Sequence, residues 1–165
     1  MKKILTKIFI TIIVAFILIQ FVPRRNNNLS TANSKSIELT HYVPEDVNQI
    51  LKTSCYDCHS NHTNYPLYSK IQPVSLWLNN HIDEGKDELN FSVFGSYSIR
   101  RQFHKLQEIK EQIEENEMPL NSYTIIHREA IITDPQKKVM VLWTEKLRDS
   151  FKLVYPADSL KRRSR

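Results

Sequence analysis

The chain has 165 residues and a formal net charge of +5, which allows one modest domain with appendages. From Thr40 to Tyr155 it carries 13 Lys/Arg against 16 Asp/Glu, a net of −3. The basic excess therefore lies in the two ends, and the folded part has no footprint for nucleic acid. The two glycines, Gly85 and Gly95, argue against turn-rich all-β folds and glycine-loop nucleotide sites, and for helices.

The first element is apolar. Ile4 to Val22 is a 19-residue run interrupted only by Lys7 among its charged residues. As a helix it spans roughly 28 Å, close to the hydrocarbon thickness of a bilayer. Lys2, Lys3 and Lys7 hold the N-terminus in the cytoplasm, and Lys7 snorkels. The alternative is a cleaved signal peptide. Phe21-Val22-Pro23-Arg24-Arg25 is a poor cleavage site, and Ser30-Thr31-Ala32 lies too far downstream. Residues 1–22 therefore read as a single-pass inner-membrane anchor, with the rest of the chain exported to the periplasmic side. Residues 23–42, rich in Asn and Ser, read as a flexible tether with a span of roughly 25 Å. It lets the domain swing near the membrane and leaves His41 solvated.

The domain proper is expected over 43–153. Pro44, followed by Glu45 and Asp46, opens a helix whose apolar stripe is Val47, Ile50 and Leu51. It leads into Cys55-Tyr56-Asp57-Cys58-His59. Two thiols three positions apart with a histidine directly after the second is the spacing of c-type haem attachment. Residues three apart share one side of a helical turn, so Cys55 and Cys58 can form thioethers with the two vinyl groups of one porphyrin. His59 then reaches the iron from the proximal side. A structural zinc site wants four ligands, and the chain has no second cysteine pair. A thioredoxin-like pair wants a preceding strand, and a plain disulfide leaves His59 unexplained.

Ser60 to Ser69 reads as a loop. A second helix starts near Pro73 with Val74, Trp77, Leu78, His81 and Ile82 as its stripe, and ends before Asn90. Phe91 to Tyr97 is a short aromatic connection. A third helix, Ile99 to Glu115, carries Phe103, Leu106, Ile109 or Lys110, and Ile113 inward. Met118-Pro119-Leu120 breaks it. Asn121 to Ile132 reads as irregular. Thr133 with Gln136 resembles a capping box for a last helix that turns Val139, Leu142, Trp143 and Leu147 inward. Residues 154–165, ending in Lys161-Arg162-Arg163-Ser164-Arg165, read as a disordered basic tail.

The sixth position on the iron has several candidates. Met118 stands outside a helix, stiffened by Pro119, and offers a thioether well downstream of the haem motif. Met140 sits within the last helix among core positions, where it packs. Of the other histidines, His62 stays on the proximal side or points to water, and His81 is a core or rim residue. His104 faces solvent. His127 follows Met118 closely enough to approach a haem propionate.

Four stretches carry a resemblance. They are Cys55-x-x-Cys58-His59-Ser60-Asn61-x-Thr63-x-Tyr65-Pro66, then Tyr68-Ser69-Lys70-Ile71-Gln72-Pro73-Val74-Ser75, then Phe94-Gly95-Ser96-Tyr97, and Glu117-Met118-Pro119-Leu120-x-Ser122-Tyr123-Thr124-x-Ile126-His127. Over about 43–146 the chain resembles the haem-binding domain family, cytochrome c-like exported proteins of Bacteroidetes-type bacteria. The resemblance implies a small all-α domain with one haem c on Cys55 and Cys58 and His59 as axial ligand. It also makes Met118-Pro119 similar to the distal Met-Pro of monohaem cytochromes c. The expectation is a membrane-anchored, periplasm-facing electron carrier that serves unidentified redox partner proteins. The alternative is a five-coordinate haem sensor or peroxidase-type enzyme, although no acid–base pair beyond the histidines recommends peroxidase chemistry.

Overall fold

Prolines, first-turn acids and apolar spacing set the helix boundaries. The computed structural model describes residues 1–29 and 35–162. The possible cleavage site at Ser30-Thr31-Ala32 and the last three residues of the basic tail lie outside the described residues. Helix α1 is Lys2–Ile19, α2 is Ile37–Thr40 and α3 is Glu45–Ser54. Cys55 joins α3 to α4, Tyr56–His59. Helices α5 (Val74–Glu88), α6 (Ile99–Glu114), α7 (Asn121–Thr124), α8 (Asp134–Val154) and α9 (Ala157–Leu160) follow. Single 3-10 turns stand at Leu67–Lys70, Phe91–Ser96 and Arg128–Ala130. The described residues contain no strand, and the fold is all-α.

Local chemistry explains the starts. Glu45 and Asp46 stand in the first turn of α3, where the helix dipole favours them. Ser98 caps α6 by accepting from the Arg101 N–H at 3.3 Å. Gln136 reaches back from α8 to the Thr133 N–H at 2.9 Å, the glutamine half of the expected capping box. α6 packs on α8, and α3 packs on α8 as well. Val47, Ile50, Leu51, Phe94, Phe103, Leu106, Ile113, Met140, Trp143 and Phe151 fill the space between. Each such side chain contributes roughly 1.5–3 kcal/mol relative to leaving it in water. Met140 is wholly buried, in the packing position its helical spacing gives it.

Two predicted stripes are rotated. Trp77 is 44% and Leu142 52% exposed, while Ser75 and Asn79 are buried in α5 and Met140 and Thr144 in α8. In α5 the reason is polar pairing. Asn79 donates to the Ser75 carbonyl at 2.7 Å and accepts from the Tyr65 hydroxyl at 3.1 Å, which turns that face inward. Trp77 faces out, with the His81 ring tilted over it at 4.3 Å.

The ends also differ from expectation. Ile37 is fully buried, so the domain begins upstream of residue 43. Residues 157–160 form α9 where the sequence reads as disordered. Leu160 is buried there, and Arg100 Nε donates to the Lys161 carbonyl at 2.5 Å. His41 is half-buried between Phe94 and Phe151, and its Nε2 meets Gln102 Oε1 at 2.8 Å. His104, expected in solvent, is half-buried.

The expected anchor finds no support in the described helices. Among the described residues no helix is long and apolar enough to cross a membrane. α1 ends at Ile19 rather than Val22, and Lys2, Lys3 and Lys7 occupy its first two turns. The uncharged helical stretch from Ile8 to Ile19 spans about 18 Å, against roughly 30 Å of hydrocarbon.

The described part of the tether lies on the domain as a strap. Gln72 N–H donates to Gln20 Oε1 at 3.1 Å, and Gln20 Nε2 donates back to the Gln72 carbonyl at 3.0 Å. Asn27 donates to the Tyr65 hydroxyl at 2.9 Å and to Asp83 at 2.7 Å, and its carbonyl accepts from Lys86 at 2.5 Å. Thr63 N–H donates to Asn28 Oδ1 at 2.6 Å, and Leu29 N–H to the Asn61 carbonyl at 2.9 Å. The strap thus follows α5 up to the loop behind the haem motif.

Candidate functional site

The haem motif forms one short helical turn held by its neighbours. Cys58 and His59 N–H both donate to the Cys55 carbonyl, at 3.2 and 2.9 Å. α4 rests on α5 and on the turn Phe91–Ser96. The two thiols are half-buried and free of any disulfide. Burial, followed by neighbouring Cys58, pushes Cys55 up to about 12. Burial followed by Asp57 pushes Cys58 up to about 11, partly opposed by Lys86. Both therefore stay as neutral thiols at ordinary pH.

His59 is oriented by the end of α5. Its Nδ1 lies 2.9 Å from the Gly85 carbonyl and 3.0 Å from the Leu89 carbonyl. Two carbonyl acceptors require a proton on Nδ1, so Nε2 carries the lone pair. Nε2 has no hydrogen-bond partner among the described residues. Burial, opposed by those two carbonyl bonds, lowers the histidine pKa and keeps the ring neutral. A neutral imidazole whose rear N–H is held by carbonyls is the arrangement of a metal ligand.

Two cavities flank this ring. The first, about 340 Å³, is lined by Cys55, His59, Phe91, Ile109, Ile113 and Met118 among others. The second, about 320 Å³, is lined by Cys55, Cys58, His59, Gly85, Met118 and Tyr123 among others. They share Cys55, His59, Glu88, Met118 and Pro119. An apolar slot bordered by both thiols, an imidazole lone pair and a thioether fits a haem. The donor set suits iron porphyrin better than a bare ion, and no group of three His, Cys, Asp or Glu that could hold a metal ion occurs among the described residues.

The fold carries Met118 to the slot by ending α6 sharply. Asn116 adopts a left-handed conformation at φ 60°. Glu117 and Met118 N–H then donate to the Gln112 carbonyl at 2.9 and 3.2 Å, closing the helix end. His127 lies elsewhere and lines neither cavity. Its Nε2 meets the Tyr68 hydroxyl at 2.7 Å, its Nδ1 meets Glu129 at 3.3 Å, and its ring stacks on Tyr123. His62 is exposed, while His81 lines the second cavity.

Sequence reasoning missed several lining groups. The carbonyls of Gly85 and Leu89 leave no side-chain signal, although a glycine within a helical run marks a close approach. Lys105 stands at the rim of the first cavity, bonded to Glu88 at 3.1 Å and Glu108 at 2.6 Å. Burial works against its charge, and the two carboxylates outweigh that and raise its pKa.

No curated protein and no solved structure matches the chain. The description "haem-binding domain" belongs to the family model that matches residues 14–146, a span that includes the thiols, His59 and Met118. The chain is a member of the haem-binding domain family.

Proposed function

We propose that the chain is a monohaem c-type cytochrome that carries single electrons between partner proteins. The observation that carries this reading is that His59, with its Nε2 lone pair unengaged, and Met118 line the same two cavities. Bound there, the haem supplies one-electron chemistry at its iron. Cys55 and Cys58 would hold it through thioethers, and His59 and Met118 would be the protein's donors to its iron. The α5 carbonyls keep His59 neutral and oriented. Leu89, Phe91, Ile109, Ile113 and Ile132 keep water from the slot. With both donors on the iron, no site would be left for substrate, and a thioether raises the potential.

The same reading puts the domain on the exported side of the inner membrane, with α1 against lipid. It is supported by α1 burying none of its residues against the chain and leaving Ile4, Leu5, Phe9 and Ile12 more than half exposed.

The test is an optical spectrum of the matured protein with a carbon monoxide titration. Oxidised protein is expected to show the weak near-infrared sulfur-to-iron band, and ferrous protein to bind carbon monoxide slowly. Met118→Ala is expected to abolish the band, speed carbon monoxide binding, lower the potential and leave the haem attached. A wild-type ferrous haem that is high-spin and binds carbon monoxide fast would establish the five-coordinate sensor or peroxidase class instead.

A further inference from the structure

The segment that presents Met118 is weakly held by packing. Between Ile113 and Ala130 no residue is buried, and α7 within it is a single turn. Packing therefore supplies little of what fixes the segment. Two side-chain bonds tie it to the part of the chain that carries the haem motif. The Tyr123 hydroxyl donates to Asp57 Oδ2 at 2.8 Å, and His127 Nε2 meets the Tyr68 hydroxyl at 2.7 Å. The two act together, since the Tyr123 and His127 rings stack at 4.3 Å and 16°.

Asp57 is the residue between Tyr56 and Cys58 in the haem motif, and its other oxygen accepts from the Asn64 N–H and side-chain amide at 3.1 Å each. The carboxylate is thus pinned on one side and takes the tyrosine on the other. Tyr123 lines the second cavity alongside Met118 and Cys58. Burial, with the Asp57 bond and charge behind it, raises the phenol pKa, so the hydroxyl remains a donor throughout the working range.

We propose that Tyr123 is a positioning residue: its hydrogen bond to Asp57 latches the Met118 loop onto the haem motif and holds the thioether against the iron site. The proposal rests on Met118 being the distal ligand. With the latch closed, thioether and imidazole line the same slot. With it open, the loop has no buried side chain to return it, and the distal position becomes available to a small ligand. The carrier and sensor classes then differ by one hydroxyl.

The experiment uses the full matured chain, with carbon monoxide as the probe of the ferrous haem. Tyr123→Phe keeps the ring and its stacking and removes the hydroxyl. It is expected to weaken the sulfur-to-iron band and to speed carbon monoxide binding about tenfold, the weight of one charge-assisted hydrogen bond. Asn64→Ala, which removes the side-chain amide donor to Asp57 and keeps the backbone one, is expected to leave the rate at the wild-type value. Adding Tyr123→Phe to Met118→Ala is expected to change nothing further, because the tyrosine acts through the methionine. A Tyr123→Phe protein with the wild-type band and wild-type rate overturns the latch while leaving Met118 as ligand. A wild type without the band, with the same rate as Met118→Ala, overturns the ligand assignment itself and the latch with it.

Discussion

Gly85 lies so close to Cys58 that a Cβ on it would stand 2.9 Å from the Cys58 carbonyl oxygen and 3.3 Å from the Cys58 Cβ. The same glycine offers its carbonyl to His59. One backbone position in α5 thus meets both the second thiol residue and the histidine that follows it, and it does so because it has no side chain.

Gly85→Ala should therefore damage the haem site despite improving helix propensity. The propensity gain is about 1 kcal/mol. Overpacking against backbone costs about 1–3 kcal/mol, since the Cys58 peptide cannot rotate away as a side chain would. Net destabilisation in a denaturant titration, together with reduced covalent haem per chain, is the expected result. An unchanged midpoint with full haem content would mean that α4 yields freely.

Covalent attachment has its own test. Matured protein run on a denaturing gel should keep its haem stain on the polypeptide. Cys55→Ala and Cys58→Ala should each leave one attachment and poor maturation, and the double variant none. Colour that leaves the wild-type band on denaturation contradicts thioether attachment.

The strap yields a contrast between two neighbouring contacts. Asn28→Ala removes the acceptor of the buried Thr63 N–H and should cost about 1–3 kcal/mol. Arg25→Ala breaks an ion pair whose side chains are 61% and 43% exposed, and should cost less than about 1 kcal/mol. Denaturant midpoints of the two variants decide it. Equal and negligible effects would restore a free tether.

His41 should impose an acid sensitivity. Burial lowers its pKa, opposed by the Gln102 bond. An unfolded histidine protonates near pH 6.5, at about the reference value. Below that pH the unfolded chain takes up a proton that the folded one resists, so the contribution of His41 is present above about pH 6.5 and lost as pH falls through the folded value. Stability should fall as the pH drops below about 6.5 in the wild type and fall less steeply in His41→Gln. Measuring the difference between the two proteins isolates His41 from His59, whose pKa burial also lowers. Parallel profiles would refute the assignment.

Much of the site was legible because its chemistry is local. Cys55, Cys58 and His59 sit within five positions, so their spacing on one helical turn carries its meaning without any knowledge of the fold. The starts of α3, α6 and α8 are likewise set by neighbouring residues. Met118 was legible in part, since Pro119 and the end of an apolar stripe mark a helix break whatever packs beyond it. Tertiary structure decided the rest. That Tyr123 finds Asp57 and that His127 turns to Tyr68 depend on pairings about sixty positions apart, and no periodicity reports those. The Gly85 and Leu89 carbonyls that set the His59 tautomer are backbone groups, which every residue type carries alike. Residues 25–29 look like linker because they are polar. They lie on the domain because Tyr65, Thr63, Asn79, Asp83 and Lys86 converge there from separate turns to receive them. Composition records what a residue can bond to, whereas only the folded chain determines which partner comes within reach.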